Sequence, residues 1–178
     1  MKLIHHKSCN VKNYSVNLTT QIHDQSLMLE FTVFSQSGRW HKTPADRFDK
    51  LHPAHNWMLW NYDVVEVFLQ KRTHNIHSPY FEFQATPTGE ELMLEIYRPR
   101  VQYATPIYAK NMFSHKNISN GWIATFQYQL DAALDNYYLG AFACLGDNPR
   151  EYLSLNPNPE TQPDYHRPEL FLPLRQIL

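Results

Sequence analysis

The sequence is poor in whatever staples, tethers or electrostatically steers a chain. Its 178 residues hold two cysteines, Cys9 and Cys144, too few for a disulfide-framed scaffold. They are either reduced thiols or one bond, and the missing export signal favours the reduced pair. Glycine occurs five times, and neither a phosphate-cradling glycine loop nor a Gly-x-Ser-x-Gly nucleophile elbow is present. Charge of neither sign is in excess: 16 basic and 17 acidic residues give a formal net charge of −1. That removes the basic stripe expected for nucleic acid or an anionic membrane, so neither is an expected partner. No apolar run is long enough to cross a bilayer, and Met1 to Cys9 lacks the apolar core of a signal peptide. The chain as read is expected in the cytoplasm, with export left open. The three Asn-x-Ser/Thr triplets, at Asn13, Asn17 and Asn117, carry no meaning without export. No amphipathic helix, internal repeat or break in composition appears, so one domain spanning 1–178 is expected. It is large enough to bury about 70% of its unfolded surface.

What the chain has instead is aromatic and β-prone. Eleven Tyr, ten Phe and four Trp accompany twelve prolines, a composition suited to many short strands joined by loops. Leu27 to Ser35 alternates, with Leu27, Leu29, Phe31 and Val33 on one face, and a weaker alternation covers Tyr14 to Thr19. After a long polar stretch from Gln36 to Asn56, a strand begins at Val64. Tyr80 to Thr86 follows, and Pro87-Thr88-Gly89-Glu90 turns it back into Glu91 to Arg98, with Leu92, Leu94 and Ile96 inward. Pro99 to Asn120 is expected to be irregular. Trp122 to Leu130 alternates again, and Asp131 to Asn136 makes a short turn. Tyr137 to Leu145 is nearly all apolar, as for a central strand covered on both sides, and pairs with a short strand near Tyr152 to Leu155. Proline then forces a loop until a last edge strand from Leu170 to Leu174. About nine strands without helices predict an all-β fold, a two-sheet antiparallel β-sandwich of jelly-roll or immunoglobulin-like kind, with a flattened barrel as its nearest competitor.

The stretch from Trp57 to Gln70 poses the sharpest question. Val65, Val67 and Leu69 share one strand face, leaving Glu66 between Val64 and Phe68 on the other. A carboxylate among apolar neighbours is costly unless it is paired, hydrated or used by a ligand. Glu82, Gln84, Glu95 and Tyr97 would join Glu66 on one mixed surface if the three strands are neighbours.

Leu-Trp-Asn-Tyr-Asp-Val-Val-Glu-Val-Phe-Leu (59–69), Tyr-Phe-Glu-Phe-Gln-Ala-Thr-Pro-Thr-Gly (80–89), Gly-Trp-Ile-Ala-Thr-Phe (121–126) and Pro-Glu-Leu-Phe-Leu-Pro-Leu (168–174) resemble the family 9 carbohydrate-binding modules and their DOMON-type relatives. The resemblance spans most of the chain. It implies a β-sandwich that grips a terminal sugar between two aromatic rings, without catalysis, with an accessory role in carbohydrate breakdown. By it, Trp60 is the first ring, Glu66 the carboxylate and Gln84 a polar contact. The second ring would come from the late loop, where the family usually has Trp and this chain has Tyr165 and His166. The family's Gly after Pro-x-x-Phe is replaced by Leu172. A pyranose fits such a site, because its C–H faces pack on flat rings while its hydroxyls need polar partners. The expected partner is therefore a mono- or oligosaccharide. The sequence sets no oligomeric state.

Plainer readings stand beside this one. Trp57 and Trp60 could be packing residues, Trp40 could anchor its own loop, and Glu66 could pair with Arg98 or Arg100. Glu82 and Glu95 are read as solvated charges and Tyr97 as a cross-strand packing partner. His52/His55 and His74/His77 have zinc-like spacing without further ligands. No cofactor is required; a structural calcium could draw on Asp46, Asp49, Asp63, Asp147 or Glu151, none spaced as a calcium loop. Haem would need one of Met28, Met58, Met93 or Met112 with a histidine, as in another DOMON branch, and no residue matches that branch. A glycoside hydrolase would need Asp63 and Glu66 to flank one bond, which strand parity disfavours unless Asp63 precedes the strand.

Overall fold

The computed structural model describes residues 1–44, 58–72, 75–103 and 113–178. Among these, twelve strands form two antiparallel sheets. The smaller contains β2 (Tyr14–His23), β3 (Ser26–Ser35), β8 (Phe113–Ile118) and β9 (Gly121–Gln129), in the order β2-β3-β9-β8. The larger contains β1 (Ile4–His5), β4 (Val64–Lys71), β5 (Tyr80–Ala85), β6 (Glu91–Arg98), β7 (Gln102–Tyr103), β10 (Tyr137–Leu145), β11 (Glu151–Ser154) and β12 (Leu172–Pro173). Its order is β1-β11-β10-β4-β5-β6-β7, with β12 added to β10.

Period-two alternation decides which residues meet between the sheets. Leu27, Leu29, Phe31 and Val33 of β3 and Trp122, Ala124 and Phe126 of β9 pack against Val65, Val67 and Leu69 of β4, Phe83 and Ala85 of β5, and Leu139, Ala141 and Ala143 of β10. Ring pairs cross the interface, with Phe83 and Phe126 centroids 6.1 Å apart and Phe81 and Tyr128 5.7 Å apart. Each such side chain, removed from water, stabilises by about 1.5–3 kcal/mol. Trp40 packs onto this core edge-on to Trp122, at 6.4 Å, so it does tie its own loop down.

The structure is the all-β, two-sheet sandwich expected, and β10 is the central strand, buried along its length between β4 and β11. Several details differ. Gln102–Tyr103 and Phe113–Ile118 are strands inside the stretch read as irregular; the first is two residues long, and the second is an edge strand without a buried residue, so neither carries a clear alternating signal. The final strand shrinks to Leu172–Pro173, flanked by 3₁₀ turns at Pro168–Leu170 and Leu174–Gln176. The faces of β6 are reversed: Leu92, Leu94 and Ile96 lie on the Glu66 side, while Met93 packs onto the inter-sheet core. Glu95 and Tyr97 therefore do not join Glu66; exposed Tyr97 instead donates its hydroxyl to Glu95 at 2.8 Å.

The outer face of the larger sheet is not bare. β11 pairs with one half of β10 and β12 with the other, so the proline-rich segment between them leaves and rejoins the same edge, crossing this face on the way. Phe171 lands on Phe68, Tyr80 and Phe142. Gly140 permits the approach, since a Cβ there would sit 2.8 Å from the Phe171 ring.

Candidate functional site

Strand register builds a polar floor beneath that segment. Phe142, Glu66, Gln84 and Leu92 form one cross-strand row, and Gly140, Phe68, Glu82 and Leu94 the next. Glu66 and Glu82 are thus diagonal neighbours on one face. Both are buried, at 4% and 3% exposure, with Gln84 at 1%; Glu82 is not the solvated charge expected, because the late segment roofs its strand. A cavity of about 630 Å³ opens over this floor.

The floor is short of donors. Gln84 donates its Nε2 to Glu82 Oε1 at 2.5 Å, and its own Oε1 is buried without a partner. Among the described residues no hydrogen bond or ion pair reaches the Glu66 carboxylate, and neither Arg98 nor Arg100 pairs with it. Burial, then the neighbouring Glu82, push the Glu66 carboxyl well above its ordinary value, with Arg150 opposing. Burial likewise raises Glu82, against the hydrogen bond from Gln84. Two buried carboxyls this close favour sharing a proton over ionising together.

The late segment supplies the rings. His166 stacks on Phe68, centroids 5.0 Å apart and planes 22° apart, and its Nδ1 lies 2.7 Å from the Tyr80 hydroxyl. Burial lowers its pKa to about 4, so the ring is neutral. With the Tyr80 O–H donating to Nδ1, the ring proton sits on Nε2, 4.0 Å from Glu82 Oε2. Tyr165 stacks on Phe142 at 4.2 Å and donates its hydroxyl to the Ala143 carbonyl at 3.2 Å. Two devices fix the segment. Asp164 is ion-paired with Arg100 and accepts the His166 N–H at 3.1 Å. Asn158, held by His6 at 2.8 Å, donates to the carbonyls of Gln162 and Asp164.

The opposite supports come from the turn before β4. Trp60, half-buried, lies in the 3₁₀ turn Leu59–Asn61, and its carbonyl accepts from Arg150 at 2.7 Å. The same guanidinium holds the carbonyls of Tyr62 and Gly146 at 2.6 and 2.7 Å. Asp63, fully buried, accepts the backbone N–H groups of His41 at 2.8 Å and Gly146 at 2.5 Å. Gly146 has φ +78°, a backbone setting that glycine adopts without strain. Asp63 does precede the strand, yet its two oxygens are committed to backbone donors and it does not line the cavity. It is a brace, not an acid for hydrolysis.

Trp60, Glu66, Gln84, Tyr165 and His166 all line this one cavity, although they come from three separate segments. Glu82, Arg100, Asp147, Arg150, Tyr152 and Asp164 line it as well. The signal for Glu82 was its parity with Gln84. Arg150 left none, because it binds backbone carbonyls rather than a matching side chain. Among the described residues no group of three His, Cys, Asp or Glu side chains could hold a metal ion. Of the calcium candidates, Asp63 is committed to backbone, and Glu151 is engaged by His5 at 3.0 Å and by the N–H groups of Asn13 and Tyr14. Trp57, Asp46, Asp49, His52, His55, His74 and Met112 lie outside the described residues. Cys9 and Cys144 are both free thiols.

No protein-family model matches the chain, and no curated protein matches it by sequence. A crystal structure from Bacteroides uniformis ATCC 8492, named "putative carbohydrate-binding protein", superposes with a TM-score of 0.61 at 15% identity, covering 89% of this chain and 75% of that one. At that identity the likeness speaks for the fold.

Proposed function

We propose that the cleft binds a mono- or oligosaccharide without transforming it, and that the 178 residues form one such module. The observation that carries this reading is the convergence of Trp60, Glu66, Gln84, Tyr165 and His166 on a single cavity of about 630 Å³. Its size suits a small saccharide. Trp60 would present an apolar plane to the sugar's C–H face, while Glu66 and Gln84 accept from its hydroxyls. Tyr165 and His166 would close the site in place of the family's usual Trp. The fold shared with the B. uniformis protein, and the role its name assigns, agree with this reading.

The test is a titration of a mono- and oligosaccharide panel followed by tryptophan fluorescence. Saturable change is expected with at least one sugar, and Trp60→Ala should abolish it while leaving the thermal transition in place. Absence of binding at millimolar sugar would overturn the reading.

A further inference from the structure

We infer that the saccharide this cleft prefers carries a free primary amine, with its ammonium group seated between Glu66, Glu82 and the amide oxygen of Gln84. The inference rests on the saccharide reading above and adds the charge of the ligand.

Donor counting makes the first argument. The floor presents three acceptor groups, the Glu66 and Glu82 carboxyls and the Gln84 amide oxygen, against the Gln84 amide nitrogen, which donates to Glu82 Oε1, and the one proton the carboxyl pair retains. What remains is the Gln84 Oε1, buried and unpartnered, the second Glu82 oxygen, 4.0 Å from His166 Nε2, and the unbonded Glu66 carboxyl. A hydroxyl brings one donor together with lone pairs, for which the floor holds little beyond that one proton, His166 Nε2 lying on the late segment. An ammonium brings three donors and no acceptor, which complements the floor group for group. A site built this way leaves buried acceptors unsatisfied when the wrong ligand enters, and such unsatisfied groups dominate discrimination.

Charge makes the second. Glu66, Glu82, Asp147 and Asp164 line the cavity against two guanidinium groups, Arg100 and Arg150. Arg100 is matched by Asp164; Arg150 binds three backbone carbonyls and keeps its charge, so Glu66, Glu82 and Asp147 face one unmatched guanidinium. The remaining polar groups lining the cavity, Trp60 and Asn61 from the turn before β4, Cys144 from β10, Tyr152 from β11, and Tyr165 and neutral His166 from the late segment, bring no positive charge. Burial and mutual repulsion outweigh Arg150, so the carboxyl pair keeps a proton, and an arriving ammonium displaces it. Binding therefore tightens as pH rises through the range where the pair ionises, up to the point at which the amine loses its own proton.

Calorimetric titration of the full chain at neutral pH with glucosamine, N-acetylglucosamine and glucose, then with the corresponding galactose set and with cyclohexylamine, tests the inference. In one of the two sets the free-amine sugar should bind about tenfold or more tighter than its acetylated and hydroxyl counterparts. Its heat should vary with buffer ionisation enthalpy, as proton release requires. Glu82→Gln, which keeps the side chain's shape, should bring that ratio close to one, whatever it does to the affinity for the neutral sugars; Glu66→Gln serves if Glu82→Gln does not fold. Equal affinity for all three members of both sets overturns the ammonium seat and leaves the saccharide reading intact. An undiminished ratio in the folded variant overturns it too, by placing the charge recognition elsewhere. Binding of cyclohexylamine without any sugar would reject the saccharide reading and keep the ammonium seat, and no binding at all would reject both.

Discussion

The two faces of β4, β5 and β10 are made of alternate residues of the same strands, and both are buried, but by different means. On the inner face Val65, Val67, Leu69, Phe83, Ala85 and Ala141 meet the smaller sheet, and each gains from leaving water. On the outer face Phe68, Tyr80, Phe142 and Phe171 make a second apolar cluster. Set into that cluster are Glu66, Glu82 and Gln84, equally withdrawn from water and short of donors. Packing accounts for the inner face completely. It does not account for two carboxyls on the outer one, which a chain selected for stability alone would replace with apolar side chains at no loss. The difference teaches that the outer face keeps an arrangement unfavourable on its own, which the proposed ligand would relieve.

The harshest way to break the comparison is to give the inner face what the outer face tolerates. Val67→Glu would place a carboxylate between the sheets, next in sequence to Glu66 but with no cavity above it. A loss of more than about 4 kcal/mol is expected, enough to abolish cooperative folding in denaturant melts. A variant that folds with near-native stability would show that the inner face, too, reaches water. Next in size is the brace behind the cleft. Asp63→Ala leaves the His41 and Gly146 N–H groups without their acceptor, and a cost of about 2–3 kcal/mol is expected in urea denaturation. Because Gly146 also accepts from Arg150, which holds the Trp60 turn, the same variant should shift the tryptophan emission of the folded protein. A change under about 0.5 kcal/mol would mean that solvent replaces Asp63 readily.

How much of this was legible in the sequence follows from which forces leave a pattern. Alternation marks a strand whose two faces differ, so β3, β4, β5 and β9 could be read with their parities. It misleads at β6, where Leu92, Leu94 and Ile96 are the more apolar set but face the outer cluster, roofed by the late segment. The opposite set lies toward the margin of the smaller sheet, where Tyr97 reaches solvent. It is silent at β8, whose exposed Ser114, Lys116 and Asn117 need no partner. Within the site, Trp60, Glu66 and Gln84 followed from parity together with family resemblance, and Tyr165 and His166 from the resemblance by position. Their actual settings, stacked on Phe142 and Phe68, depend on contacts nearly a hundred residues apart in the case of His166. Asp63 and Arg150 act on backbone groups, which every residue possesses, so no residue type elsewhere announces them.

The finest comparison is made by pH. Glu66 and Glu82 hold their protons more tightly folded than unfolded, so their contribution to stability falls as pH rises from the ordinary carboxylate range through their raised values. Glu66→Gln removes one member of the pair and relieves the other. His166 acts in the opposite sense: its pKa drops from 6.5 to about 4 on folding, so stability is lost as pH falls through that interval. Asp63, also raised by burial, and His166 are common to both proteins, and their effects cancel when native and variant are compared at one pH. Thermal melts should therefore show the variant more stable by about 1 kcal/mol near pH 8, or roughly 2–4 °C, with the gap closing toward pH 5. If the native protein is the more stable at the higher pH, some group must be stabilising the ionised Glu66. The outer face would then be balanced as fully as the inner one, and a cationic ligand would have nothing left to relieve.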